Sequence, residues 1–259
     1  MQITYKYMHK KNKFSLIIPI YNAELFILDN LNKLFNYCIK NKIELVLVND
    51  GSSDSTDSII QNFINKVEFD KYNFKYLNLL NNSGKGRAIK SALSFTTGDF
   101  IIFTDCDLPY SFENIDRVIN MLIDGESKIV IANRMHPNSQ YLIRSSKLSY
   151  IYIRHTAGRV FNLLVRILSN LDIMDTQAGL KGFERNAALI IFEKMTVVGF
   201  SFDIDILACA KSNNFIINSI PIDFNYETEM STINFARQIL LMTIDLLKIR
   251  FKIIIGKYK

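Results

Sequence analysis

Short apolar runs alternate with amphipathic stretches through the first half of the chain. Phe14–Pro19 (FSLIIP), Glu44–Asn49 (ELVLVN), Lys75–Leu79 (KYLNL), Asp99–Thr104 (DFIIFT) and Lys128–Asn133 (KIVIAN) are short and mostly rich in β-branched or aromatic residues, a pattern that predicts buried strands. Between them Leu25, Leu28, Leu31, Leu34 and Phe35 recur at helical spacing up to about Ile39. Thr56–Ile64, Gly84–Phe95 and Phe112–Leu122 predict further helices, with Ser53 or Ser55 placed to cap the first of them ahead of Asp57. Strands alternating with helices predict an α/β fold: a mostly parallel, Rossmann-like sheet with right-handed crossovers, flanked by helices. Ligands of such sheets bind beyond the carboxyl ends of the strands, where Tyr21, Asp50 and Asp105 fall.

The second half is less regular. Leu142–Leu171 predicts one or two helices, Gly179–Phe183 a short strand, Phe202–Ala210 a helix, Ile216–Tyr226 an extended segment and Ile233–Ile255 a long amphipathic helix. No Pro/Gly/Ser-rich linker and no internal repeat divides the chain. We read residues 1–230 as one domain, with a first half of about 14–133 and a second of about 134–230, followed by an amphipathic helical extension over 231–259.

The 259 residues are 49% hydrophobic, enough for a large core, which excludes a disordered chain. Cys38, Cys106 and Cys209 are odd in number and lack metal-ligand spacing, so free thiols in a reducing compartment are expected. No stretch approaches the roughly 20 apolar residues of a membrane span, and no apolar run follows the charged first residues. The expected location is the cytoplasm, peripheral on the cytoplasmic face of a membrane. The net charge of +6 is unevenly distributed. No acid stands between Glu126 and Asp172, an interval holding Lys128, Arg134, Arg144, Lys147, Arg154, Arg159 and Arg166, and after Glu229 the only acid is Asp245. These blocks call for an anionic partner, phosphate groups or an anionic membrane surface. No nucleic-acid motif is present, and nucleic acid is not expected. The last helix mixes Ile239, Leu240, Met242, Leu246, Leu247, Ile249, Ile253 and Ile254 with Arg237, Lys248, Arg250 and Lys252. That is too charged to span, and it suits the membrane interface, packing on the domain, or a homodimer contact.

The candidate chemistry gathers where strands end. In Asp99–Tyr110 (DFIIFTDCDLPY) an apolar run stops at Asp105 and Asp107. Two anions there are costly without a positive partner, and hard carboxylate oxygens suit Mg²⁺ or Mn²⁺ holding a diphosphate. The run Glu44–Asn49 likewise stops at Asp50, before Gly51, Ser52 and Ser53, whose N–H groups and hydroxyls near a helix start suit anions. Lys85, in Asn82-Ser83-Gly84-Lys85-Gly86, can reach a donor phosphate, although the spacing is not a Walker motif.

Taken together, Ile17-Ile18-Pro19-Ile20-Tyr21-Asn22-Ala23-Glu24, Val48-Asn49-Asp50-Gly51-Ser52-Ser53-Asp54-Ser55-Thr56, Asn82-Ser83-Gly84-Lys85-Gly86 and Asp105-Cys106-Asp107 resemble the family 2 inverting glycosyltransferases of GT-A fold. Asp175-Thr176-Gln177-Ala178-Gly179-Leu180-Lys181-Gly182-Phe183 and Phe200-Ser201-Phe202-Asp203-Ile204-Asp205-Ile206-Leu207 are similar to the branch that glycosylates polyprenyl phosphates, the dolichyl-phosphate β-glucosyltransferases above all. Ala178 stands where that branch usually has Cys or Ser. The resemblance implies that Pro19, Tyr21, Glu24, Asp50, Ser52, Lys85, Asp105 and Cys106 line the nucleotide-sugar donor. Asp107, with Asp105, would bind Mg or Mn. Arg134, Arg144, Arg154, Gln177 and Lys181 would meet the acceptor phosphate. Residues 14–133 would then be the nucleotide-sugar half and 134–230 the acceptor half. Asp203 or Asp205 would be the general base for a hydroxyl acceptor, whereas a polyprenyl or dolichyl phosphate, already largely dianionic at neutral pH, needs none, and the carboxylate would then orient sugar hydroxyls or pair with Lys181. The expected reaction is metal-dependent transfer of a hexose, foremost glucose from UDP-glucose, to polyprenyl phosphate. The alternatives are transfer to a glycan hydroxyl, a nucleotidyltransferase, and a nucleotide-sugar sensor without turnover.

Overall fold

The computed structural model describes residues 12–67, 72–142, 162–225 and 235–259. In chain order the elements are β1 (Phe14–Ile20), α1 (Ile27–Asn41), β2 (Glu44–Asp50), α2 (Thr56–Lys66), β3 (Phe74–Leu79), α3 (Lys85–Leu93), β4 (Phe100–Phe103), α4 (Phe112–Ile123), β5 (Ile129–Asn133), β6 (Gln140–Leu142), a helix over 162–169 (α5), β7 (Lys181–Glu184), α6 (Arg185–Lys194), α7 (Phe202–Ser212), β8 (Ile217–Pro221), β9 (Asp223–Asn225) and α8 (Phe235–Ile254).

Seven strands form the main sheet in the order β3-β2-β1-β4-β7-β5-β8, and β6 pairs with β9 in a small second sheet. Every pairing in the main sheet is parallel except those of β7, which runs antiparallel between β4 and β5. The fold is thus the mostly parallel, helix-flanked sheet that the alternation predicts. Side chains alternate between its faces. Leu16, Ile18, Leu45, Leu47, Ile102 and Val130 enter the core under α1, α2 and α4, while Ile17, Val46, Val48, Phe103 and Ile131 enter the core under α3, α6 and α7.

Several boundaries differ from the sequence reading. One residue beyond the expected end, Ile20 still belongs to β1, and inside the strand stands Pro19, paired with Val48. It offers no N–H, but β4 ends opposite Ile17, so no ladder bond is forfeited on that side. The helix α6 (RNAALIIFEK) follows β7 directly and is absent from the sequence reading. Leu142 closes β6, and of the helices expected over Leu142–Leu171 residues 162–169 are helical, whereas 143–161 lie outside the described residues. Arg144 and Arg154 fall there, with Lys147 and Arg159, and residues 226–234 also lie outside. The helix α8 packs Met242, Leu246 and Ile249 into the core beside α7, and it leaves Leu240, Ile244, Leu247, Phe251 and Ile254 exposed along the opposite side. Among the described residues no helix is long and apolar enough to cross a membrane.

Candidate active site

Because β7 runs against its neighbours, its beginning lies at the same sheet edge as the ends of β1, β2, β4 and β5. Asp50 ends β2, Asp105 follows β4, Arg134 follows β5 and Lys181 opens β7, paired in register with Phe103. The topology therefore brings these four charged residues to one rim.

On the β1–β2 side, Asp50 is nearly buried and accepts the backbone N–H groups of Ser83 (2.9 Å) and Gly84 (2.8 Å). Burial raises its carboxyl, and these two bonds only partly offset that. It thus holds the loop that leads into α3. Ser52 takes the N–H of Asn22 on its hydroxyl and donates to Asn49 Oδ1 at 2.5 Å. Glu24 accepts the N–H of Ser55 at 2.9 Å, tying the β1 turn to the start of α2. Tyr21 is 48% exposed above this rim, so its ring can stack on a base.

At the centre, Lys85 Nζ meets Asp105 Oδ1 in an ion pair and lies 5.8 Å from the Phe202 ring centroid. Burial alone would lower the lysine, but Asp105 and Asp203 outweigh it and hold the ammonium above its ordinary range. The other oxygen of Asp105 rests on Gly179, where a Cβ would lie 1.7 Å from Oδ2. Gly179 is itself fixed by donating its N–H to the buried Tyr110 hydroxyl at 2.7 Å. Leu108 takes the left-handed conformation (φ 50°) and closes the turn Asp105–Leu108 by donating its N–H to the Asp105 carbonyl. Asp107 stands half-buried on that turn. The Cys106 thiol is pushed up to about 12 by burial and by Asp107 and Asp105, so it stays protonated and is no ligand for a hard cation.

On the β5–β7 side, Arg134 closes its fork on Asp175, with Nε to Oδ2 at 2.8 Å and an Nη to Oδ1 at 2.9 Å, and its backbone N–H adds a third bond. Burial would raise Asp175, but the guanidinium outweighs burial and holds the carboxyl below the usual range. Such a depressed group contributes stability above its unfolded value and loses it as pH falls through the folded value. Arg134→Met is therefore expected to cost about 3 kcal/mol at pH 7, because it leaves a buried carboxylate with only one N–H. That carboxyl would take its proton above the unfolded value, so the penalty shrinks as pH falls toward about 4. Urea unfolding of both proteins at the two pH values measures it, and an equal penalty at both would contradict the pairing.

Lys181 is 0% exposed and donates to Ala178 O (2.5 Å) and Asp203 Oδ1 (2.6 Å). Burial pushes the ammonium down and the carboxyl up, each resisted by the partner's charge. This corrects the sequence reading: strand alternation puts Lys181 on the face of Phe183, under α7, where it reaches Asp203 rather than an incoming phosphate. Gln177 is held toward Phe200 O at 3.3 Å. Asp205 is also corrected. Two positions past Asp203 on a helix is a half-turn away, and Asp205 is 0% exposed, bonded to the N–H groups of Thr196 and Val197, to Lys252 and to Tyr258. It cannot meet an acceptor. Missed from the sequence were the support given by Tyr110 and the reason for Gly179, because these contacts span 69 positions or more.

The donor set at the rim suits a divalent cation. Asp105 and Asp107 are hard ligands, and among the described residues no group of three or more His, Cys, Asp or Glu could cage a metal by itself. Two chain carboxylates would leave positions for diphosphate oxygens and water on Mg²⁺ or Mn²⁺.

Comparison with known proteins follows the same line. A family profile described as Glycosyl transferase family 2 matches residues 15–189, more than half of the chain. A dolichyl-phosphate beta-glucosyltransferase of Saccharomyces cerevisiae is 30% identical over 95% of this chain and 76% of its own length. Its human counterpart by name is 27% identical over 95% and 78%. Among solved structures, glucosyl-3-phosphoglycerate synthase from Mycobacterium tuberculosis bound to UDP matches with a TM-score of 0.65 at 15% identity, covering 93% of this chain and 81% of that one. The same enzyme with Mn²⁺ and UDP-glucose matches at 0.63, with 14% identity and 92% and 80% coverage. At that identity the likeness is one of fold.

Proposed function

The chain belongs to glycosyl transferase family 2 and is a nucleotide-sugar-dependent hexosyltransferase; from that premise we propose that it moves glucose from UDP-glucose to a polyprenyl phosphate, dolichyl phosphate in particular, with inversion at the anomeric carbon. The names of the relatives support the acceptor and the sugar. The observation that carries the reading is the state of the two carboxylates otherwise available as general base. Asp205 is sealed in the core, and Asp203 is nearly buried with an oxygen on Lys181. A hydroxyl acceptor needs a base within hydrogen-bond reach, whereas a phosphate monoester arrives largely deprotonated.

In this account Tyr21 stacks on the base, and the turn fastened by Glu24, Ser52 and Asp50 receives the nucleoside. Lys85 neutralises the donor diphosphate. Asp107, with Asp105, would hold a divalent cation, Mg or Mn, which when bound offsets the charge growing on the departing UDP. An oxygen of the lipid phosphate attacks the anomeric carbon as the bond to the diphosphate oxygen breaks, and no proton needs to move. Arg144 and Arg154 would attract the acceptor phosphate, beside an Arg134 whose fork is closed on Asp175. The exposed apolar side of α8, flanked by Lys248 and Arg250, would lie on an anionic membrane surface at its cytoplasmic face, where the lipid acceptor resides. Residues 1–230 would then form the transferase domain and 231–259 the interfacial helix.

UDP release from UDP-glucose, measured with a short polyprenyl phosphate, with a glycan and with neither, tests the acceptor class. Stimulation by the lipid phosphate is expected. Stimulation by the glycan alone would favour a hydroxyl acceptor and require a base that neither Asp203 nor Asp205 supplies in this arrangement.

A further inference from the structure

Asp205 lies away from the rim, yet it fastens the segment on which the Lys85 loop is built. Its Oδ2 accepts the N–H groups of Thr196 (2.7 Å) and Val197 (2.9 Å), pinning the stretch between α6 and α7. The next carbonyl, Val198 O, accepts the N–H of Gly86 at 3.1 Å. That donor belongs to the first turn of α3, where no carbonyl of the helix itself can serve it. Gly84 presses on the same carbonyl: a Cβ there would lie 2.6 Å from Val198 O, and the φ of +90° favours glycine. Lys85, between these two glycines, is thereby set over Phe202 and on Asp105.

The far side of Asp205 belongs to the end of the chain. Its Oδ1 receives the Tyr258 hydroxyl and the Lys252 ammonium, the latter at 3.0 Å. Lys252 also donates to Thr196 Oγ1 at 2.8 Å and sits 4.2 Å from the Tyr258 ring centroid. The Tyr258 carbonyl is clamped by Asn213 (2.7 Å) and Lys194 (2.8 Å). A buried ion pair is weak evidence of net stability, because apolar residues of the same volume often serve as well. This one joins three separate parts of the chain in a single arrangement.

We propose that Asp205 is a positioning residue for the donor: braced by Lys252 and Tyr258, it fixes the Thr196–Val198 segment that sets Lys85 on Asp105, so the last residues of the chain complete the nucleotide-sugar site from behind. The proposal rests on the donor reading above.

The test compares the wild-type chain with Tyr258→Phe, Asp205→Asn and Asp205→Glu. It uses calorimetric binding of UDP with Mn²⁺ and steady-state kinetics with UDP-glucose and a short polyprenyl phosphate. Tyr258→Phe and Asp205→Asn are expected to weaken UDP binding and raise KM for UDP-glucose about tenfold, with acceptor KM unchanged. Asp205→Glu should restore part of the loss. Because Asp205 acts through Lys85, Asp205→Asn should cost little more in a Lys85→Ala background. A merely structural Asp205 would lower Tm and the folded fraction, leave KM and UDP affinity unchanged, and add fully to Lys85→Ala; any of the last three results overturns the proposal. Should Asp205→Asn fail to fold, Tyr258→Phe, which removes one hydroxyl, decides alone. A wild type that binds UDP without turning UDP-glucose over would sink the functional reading, and the UDP affinities would still judge the positioning role. A wild type that binds no UDP overturns both.

Discussion

Asp107→Ala is expected to lower kcat/KM for UDP-glucose by about a thousandfold or more, roughly 4 kcal/mol of transition-state stabilisation, while the protein stays folded. Asp107 stands half-buried on the turn after β4, so its loss opens no core cavity and leaves the Lys85–Asp105 pair in place. The effect is large because the leaving diphosphate gains charge as the sugar departs, and stabilisation that appears only in the transition state enters the rate directly. Asp105 alone would be a poor substitute, because Lys85 already shares one of its oxygens. The accompanying measurement is a Mn²⁺ titration of rate. Wild type should saturate and the variant should not, and a variant with unchanged rate and unchanged Mn²⁺ response would remove Asp107 from the site.

The second large effect is expected at Gly179→Ala. The added methyl would sit 1.7 Å from Asp105 Oδ2 and 2.7 Å from its Cγ, far inside the roughly 3.5 Å of a normal contact. The backbone cannot easily retreat, because the Gly179 N–H is bonded to Tyr110 and the neighbouring Ala178 and Leu180 are buried. Asp105 must turn away instead, and its pair with Lys85 breaks. Activity should fall about a hundredfold, with a fall in Tm of only a few degrees, since the displaced carboxylate remains partly exposed to water. Full activity in Gly179→Ala would show that the position of Asp105 does not matter.

How legible each feature was in the sequence depends on how far away its cause lies. Asp50 and Asp105 could be placed because parallel strands end at one edge, so locating where ELVLVN and DFIIFT stop locates the rim. The helix α6 could not, because Arg185 follows Glu184 with no turn residue between them and Ala187-Ala188-Leu189-Ile190-Ile191-Phe192 is apolar all along, which hides the helical period. The resemblance implies a phosphate contact for Lys181, whereas the register of β7 sets it on the face of Phe183, where it reaches Asp203. Asp203 and Asp205, two apart on a helix, could not both face the same ligand, but which one faced inward depended on Tyr258, 53 positions further on. Gly179 was visible as part of a motif, while its reason, the oxygen of Asp105, lay 74 positions earlier (179 minus 105).

The most direct measurement is the identity of the product. Purified protein with UDP-glucose, Mn²⁺ and a short polyprenyl phosphate should yield, in the organic extract, a lipid heavier by one hexose and joined through phosphate, of β configuration by NMR. UDP should appear in equal amount. UDP release with no glucosylated lipid phosphate in that extract would contradict the account.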